Sequence, residues 1–214
     1  RRPKFVFSAT LALGMSGIDE SLDLWCDSPV HPDRTMEAIN QTAPDGLRIT
    51  QIVAIDANAK KPTHGIISAE YEAAVPLDQL IHTHQQQRKK GGGDANALPS
   101  PDSRQQNAGD VNDAIRARYE AYKAHLEKKI EHVLAQTDID KIKGSKSKKR
   151  YNLRPLIETL SIIASDIDHQ MVKIHMRLTL KEGATGRPDA VLEALGLDPH
   201  HVKICRTRII RKKD

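Results

Sequence analysis

The sequence predicts an α+β fold with antiparallel sheets, and three observations predict it. Long stretches alternate apolar and polar residues, one stretch repeats apolar residues at steps of three and four, and two short Pro-Asp helix starts lie between strand patterns. The clearest alternation runs over residues 171–180. Val172, Ile174, Met176, Leu178 and Leu180 share one side, and Lys173, His175, Arg177 and Thr179 the other. Successive strand side chains point to opposite faces, so this strand has one buried face and one polar face. Ile67, Ala69, Tyr71, Ala73 and Val75 alternate with Ser68, Glu70, Glu72 and Ala74 in the same way. Shorter strands are expected at 4–9, 21–26, 49–55, 157–163 and 202–210.

Val111, Ile115, Tyr119, Tyr122, Leu126, Ile130 and Val133 recur at helical spacing and predict an amphipathic helix of about seven turns. Asp110 is its expected N-cap. Pro32-Asp33 opens a second helix carrying Met36, Ile39 and Ala43, and Pro188-Asp189 a third carrying Val191, Leu192 and Leu195. Proline suits the first helical turn because its missing N–H has no partner there, and an early aspartate favours the helix dipole.

The two Pro-Asp helices expose a repeat. The strand at 22–26, the Pro32 helix, Gly46-Leu47 and the strand at 49–55 are followed by the same order later: the strand at 172–180, the Pro188 helix, Gly196-Leu197 and the strand at 202–210. With the strands and long helix before it, the second half reads βαββαβ, the ferredoxin-like order. The first half reads ββαβ. The expected architecture is therefore two ferredoxin-like βαββαβ-type halves with antiparallel sheets, the first lacking its opening strand and helix. Their bounds are 1–60 for the incomplete half and 61–214 for the complete one. A disordered insert is expected at about 83–109, where Gln, Lys, Gly, Ser and Pro offer little to a core. The basic run from Lys143 to Arg150 reads as an exposed hairpin tip.

Composition bounds the function classes. With 214 residues, 38% hydrophobic and 29% charged, the chain can bury a core and is neither a membrane protein nor wholly disordered. No apolar run reaches the roughly 18 residues of a membrane helix, and no signal peptide opens the chain. The start at Arg1, without an initiator Met, suggests a fragment of a longer chain. Cys26 and Cys205 lie far apart in apolar stretches and read as buried thiols of a cytoplasmic protein. The net charge of +5 is compatible with nucleic-acid binding but does not require it.

Arg2-Pro3-Lys4-Phe5-Val6-Phe7, then Leu11-Ala12-Leu13-Gly14 and Leu22-Asp23-Leu24, resemble a radical-SAM-linked domain of unknown function found in bacteria. Leu153-Arg154-Pro155-Leu156-Ile157, the run from Gly186 to Gly196, and Arg206-Thr207 resemble its later blocks. The resemblance implies a domain found alone or fused behind a radical SAM enzyme domain, with a radical SAM domain or protein as partner. It also implies an opening strand and helix that this chain lacks. Ala12 stands where proline is common in the family. Met15-Ser16-Gly17 stands where an acidic residue is frequent, which leaves the use of that loop open.

The chemistry in the chain is sparse. A radical SAM cluster needs three closely spaced cysteines, and two distant ones cannot supply it. His82 and His84, His125 and His132, and His200-His201 read as ordinary histidines, because none has a ligand set beside it. Gly91-Gly92-Gly93 lacks the Lys-Ser/Thr of a phosphate loop. No catalytic residue, metal site or cofactor is assigned. Basic residues cluster at Arg1, Arg2 and Lys4, around Arg154, at Lys173 and Arg177, at Arg187 and at Arg206, and these eight form the candidate nucleic-acid surface. Arg154 and Arg187 could instead clamp nearby carbonyls or an acid. Phe5 and Phe7 share a strand face and read as core. The expected function is a non-catalytic accessory domain that binds RNA and presents it to a radical SAM enzyme. The alternatives are a protein-interaction domain docking on that enzyme, or a metal-independent RNA-processing enzyme using His175.

Overall fold

A computed structural model describes residues 4–56, 58–76, 108–142, 150–166 and 171–212. Its elements in chain order are β1 (Lys4–Phe7), β2 (Ser16–Gly17), β3 (Leu22–Trp25), α1 (Pro32–Thr42), β4 (Ile66–Pro76) and α2 (Ala108–Ala135). There follow β5 (Asp140–Ile142), β6 (Arg150–Asn152), β7 (Ile157–Asp166), β8 (Met171–Lys181), β9 (Ala184–Thr185), α3 (Pro188–Ala194) and β10 (Lys203–Arg211). Short 3-10 turns occupy Arg154–Leu156 and Pro199–His201. The fold is mixed α+β with mainly antiparallel pairing. The chain forms two compact units, one of residues 1–10 and 20–65, the other of residues 11–19 and 66–214.

In the larger unit the strands run in the order β2-β10-β4-β8-β7, and β9 pairs β8. Every pairing is antiparallel except β2 with β10, which is parallel. The alternation in the sequence sets the two faces. Ala69, Tyr71, Ala73 and Val75 of β4 and Val172, Ile174, Met176 and Leu178 of β8 are buried, with Leu160 of β7 and Ile204 of β10 beside them. Tyr119, Tyr122, Leu126, Ile130 and Val133 of α2 and Val191, Leu192 and Leu195 of the α3 segment join the same core. Tyr119 Oη donates to the Met171 carbonyl at 3.1 Å, so this buried phenol is satisfied. Lys129 of α2 donates through Nζ to the Leu195 carbonyl at 3.0 Å, capping the end of α3. Half-burial of Lys129 lowers its pKa by desolvation.

α2 begins ahead of Asp110, so this aspartate lies inside the first turn rather than at the cap. The dipole favours a carboxylate at either place, which is why sequence does not separate them. Ala108 and the following glycine, expected in the insert, belong to α2; residues 83–107 of that insert lie outside the described residues. β5 and β6 form the arms of the expected basic hairpin, whose tip at 143–149 is also outside them.

In the smaller unit β1 and β3 form an antiparallel ribbon, with Phe5 opposite Leu24 and Phe7 opposite Leu22. These four share one face, because directly opposed residues lie on the same side. Phe5 is 55% exposed and Phe7 57%, so the expectation that they pack in a core is corrected. Among the described residues of this unit only Ser8 and Pro62 are buried. Cys26 is accordingly exposed rather than buried, Cys205 is half-buried, and both are free thiols. The Asn40 side chain donates to the Ile49 carbonyl at 2.9 Å and accepts from the Ile49 N–H at 2.8 Å, fixing the chain after α1. Residues 49–55 nevertheless form no strand. An extended segment becomes a strand only by pairing. Among the described residues no strand pairs with 49–55.

Candidate interaction surface

α2 and α3 contribute to the core on one face of the sheet, and the other face is polar. Register places its side chains in transverse rows. Lys203 lies opposite Ala74, and Ala74 opposite Lys173. In the next row Cys205, Glu72, His175 and Ser161 follow one another across β10, β4, β8 and β7. The third row holds Arg208, Glu70, Arg177 and Thr159. Cross-strand neighbours of this kind lie about 5 Å apart, close enough for opposite charges to stabilise each other.

The row pattern puts carboxylates on the central strand and cations on either side. A bulge between Ile157 and Thr159 adds Glu158. Its Oε2 pairs with Arg177 Nε at 2.8 Å, and its Oε1 accepts from the hydroxyls of Ser68 and, at 3.3 Å, Thr179. Arg177 is thus held by Glu158, although its Nε–H is not aligned for a hydrogen bond. Lys173, Lys203 and Arg208 have no ion pair among the described residues. The face carries Lys173, Arg177, Lys203 and Arg208 against Glu70, Glu72 and Glu158. It is close to neutral, not a cationic stripe.

The eight candidate cations come to different places. Arg1 and Arg2 lie outside the described residues. Lys4 sits on β1, its Nζ 4.5 Å from the centre of the Trp25 ring, a cation–π contact in the smaller unit. Arg154 is half-buried and donates from Nε to the Leu134 carbonyl at 3.0 Å and from Nη1 to the Ile157 carbonyl at 3.1 Å. It clamps the end of α2 to the start of β7. Arg187 grips Asp189 with both Nε, at 3.1 Å, and Nη2. That hydrogen bond raises the Arg187 pKa further. Arg206 is 2% exposed and lies opposite Tyr71 on the core side of the sheet, so it does not belong to an accessible surface. Lys173 and Arg177 alone of the eight share the open face.

Around Arg187 lies a second polar cluster. Tyr151 has its pKa raised, chiefly by burial, with Arg187 opposing and Asp189 and Glu193 adding to the rise. Lys141 pairs with Glu193 at 2.8 Å. These contacts tie the β5–β6 hairpin to α3 and leave the arginine occupied. His201 Nδ1 lies 3.1 Å from Asp198 Oδ2, and His132 contacts Gln136. His82 and His84 are outside the described residues. Among the described residues no group of three or more His, Cys, Asp or Glu comes together to hold a metal ion, and no helix is long and apolar enough to cross a membrane.

Reading β8 alone identifies Lys173, His175 and Arg177 but misses Glu70, Glu72 and Glu158, which neutralise them from neighbouring strands. The signal was present as the acidic face of β4; only the register joins the two. No curated protein and no solved structure matches the chain significantly. Residues 1–188 match the family described as "Uncharacterized protein conserved in bacteria (DUF2344)". That match spans most of the chain, and the protein therefore belongs to the DUF2344 family of bacterial proteins.

Proposed function

We propose that this chain is a non-catalytic, cytoplasmic accessory domain that docks on a radical SAM protein through the open face of its larger sheet. One observation carries the docking surface: Glu70, Glu72 and Glu158 stand among Lys173, Arg177, Lys203 and Arg208, so the face mixes both signs and is not a cationic stripe. Mixed charge of this kind matches a protein surface of complementary pattern and gives register and specificity. Phosphate binding draws its affinity from unneutralised Lys and Arg. Here Arg154, Arg177 and Arg187 are already engaged within the chain. The radical SAM partner rests on the resemblance of the sequence blocks. The two units are read as related halves, 1–60 and 61–214, the second a ferredoxin-like βαββαβ body with the strand order β10-β4-β8-β7. Supporting this, α1 and α3 both open on Pro-Asp without a side-chain cap, and a positive-φ glycine, Gly46 or Gly196, follows each. The first half lacks an opening strand and helix.

The test is titration of the purified chain into a radical SAM protein encoded in the same genome, followed by calorimetry. Binding that weakens at least tenfold in Glu70→Lys/Glu72→Lys supports the docking face; equal affinity of that variant removes it. RNA binding is the second reading, favoured by Lys173, Lys203 and Arg208 without ion pairs on the open face. Retention of total RNA on a filter at low salt, lost in Lys173→Glu/Lys203→Glu, supports RNA over protein; no retention eliminates RNA. His175, between Glu72 and Ser161, is the residue an RNA-processing enzyme would use, and cleavage undiminished in His175→Ala excludes that role.

A further inference from the structure

We infer that the larger unit pairs with a second copy of itself through the outer edge of β7, the two strands running antiparallel about a two-fold axis at Ser161. β7 ends the sheet, and among the described residues no strand pairs with its outer side. An open edge presents unpaired N–H and C=O groups, and is ordinarily defended by charge, proline or cover. The opposite end of the sheet has such defences. There β2 pairs with β10 at Cys205 and Arg206, and the Ile18 N–H donates to the Arg206 carbonyl at 3.0 Å. Arg208 and Arg211 stand beyond a bulge on the same strand. β7 differs. From Thr159 to Ala164 it carries no charge, proline or glycine, and Ile163 is 50% exposed.

Charge selects a second β7 as the occupant and fixes its register. Directly opposed residues of antiparallel strands share a face, so the axis of a self-pair passes a residue, not a peptide bond. With the axis at Ile162, Glu158 would face the partner's Asp166, a like-charge pair. With it at Leu160, Glu158 would face the partner's Ile162, a charge against an apolar side chain. With it at Ser161, the uncharged run faces itself. Leu160 and Ile162 lie opposite Met176 and Ile174, on the core side of the sheet. Each then meets the other's copy, and the apolar side continues across the join. Ser161 meets its own copy on the open face. The bulges between Ile157 and Thr159 and between Ile162 and Ala164 confine the pairing to this central stretch. α2 packs against β7 on the core side, so the axis also draws the two copies of α2 towards each other. Both β7 edges are consumed and the far edges are defended, so the assembly closes at two copies.

The test uses the 214-residue chain itself. Sedimentation velocity should show the mass rising from one copy to two with concentration. Ser161→Lys sets like charges at the axis, where they oppose pairing, and should weaken the dimer at least tenfold. An equimolar mixture with Ser161→Glu should restore it. In a Cys26→Ser/Cys205→Ser background, Ser161→Cys should form a disulfide-linked dimer under oxidised glutathione, because opposed Cα atoms lie within reach of a disulfide. Thr159→Cys should not, since its mate stands about 13 Å along the strand. Should Ser161→Lys unfold, as far-UV circular dichroism would show, the two cysteine variants decide alone. A single-copy mass at every concentration overturns the inference. So does a dimer that survives Ser161→Lys and does not cross-link through residue 161, which would place the contact on another surface. Glu70→Lys/Glu72→Lys should dimerise as the parent does, so loss of docking and loss of the dimer are told apart.

Discussion

At the scale of single residues, backbone contacts decide more than charge does. Gly186 shows this. A Cβ there would lie 2.9 Å from the Leu156 carbonyl oxygen and 3.0 Å from Leu178 Cβ. Neither neighbour is the free end of a side chain, so Gly186→Ala should cost about 1–3 kcal/mol as an overpacked core does, read as a lower urea midpoint. Asp198 gives a pH-dependent case. Its carboxylate accepts from the His200 N–H and thereby has a pKa below the ordinary 3.8. The folded state binds its proton less readily than the unfolded state, so the stabilisation is full above pH 3.8 and is lost as pH falls through the lower native value. Asp198→Ala should flatten that acid limb of the urea midpoint against pH, leaving the neutral slope unchanged. Arg154 and Arg187 were visible in the sequence as arginines before proline. Their roles were not, because the same guanidinium can bind phosphate, carbonyl or carboxylate, and only the neighbours decide.

At the scale of elements, legibility followed periodicity. β4, β8 and α2 announce themselves because each pattern spans many residues and a buried face selects it. Leu126 anchors α2 in the core with no exposure; Leu126→Ala should remove about 2–5 kcal/mol of stability, measured by equilibrium denaturation. β2 and β9, two residues each, carry no period and could not be foreseen. Residues 49–55 were legible as an extended pattern but not as an unpaired one, since pairing depends on another segment. The open face failed for the same reason: each strand declares its own side chains, and the near-neutral balance emerges only when β10, β4, β8 and β7 are set side by side.

At the scale of the molecule, burial is uneven. The larger unit holds the whole hydrophobic core, while the smaller one buries only Ser8 and Pro62 among its described residues. Segments with few buried apolar contacts open at little cost in free energy. Limited proteolysis of the 214-residue chain should cut within 20–65 well before it cuts β4, β8 or β10, which mass spectrometry of the early fragments will report. The mixed α+β character with antiparallel pairing was readable in advance, because alternating patterns and one long helix leave few arrangements. The division in space was not. Residues 11–19 group with the larger unit although they lie in the chain between β1 and β3.

That grouping bears on the timing of biosynthesis. β2 pairs with β10, the Ile18 N–H donates to the Arg206 carbonyl at 3.0 Å, and Ser16 reaches Ile204, 188 positions further on. A ribosome releases the early partner long before the late one exists. The loop after β1 must therefore wait while the 188 positions between Ser16 and Ile204 are synthesised, and it reaches its final pairing only after β10 has emerged. Within this chain, a segment that leaves the exit tunnel well before β10 is locked only after it.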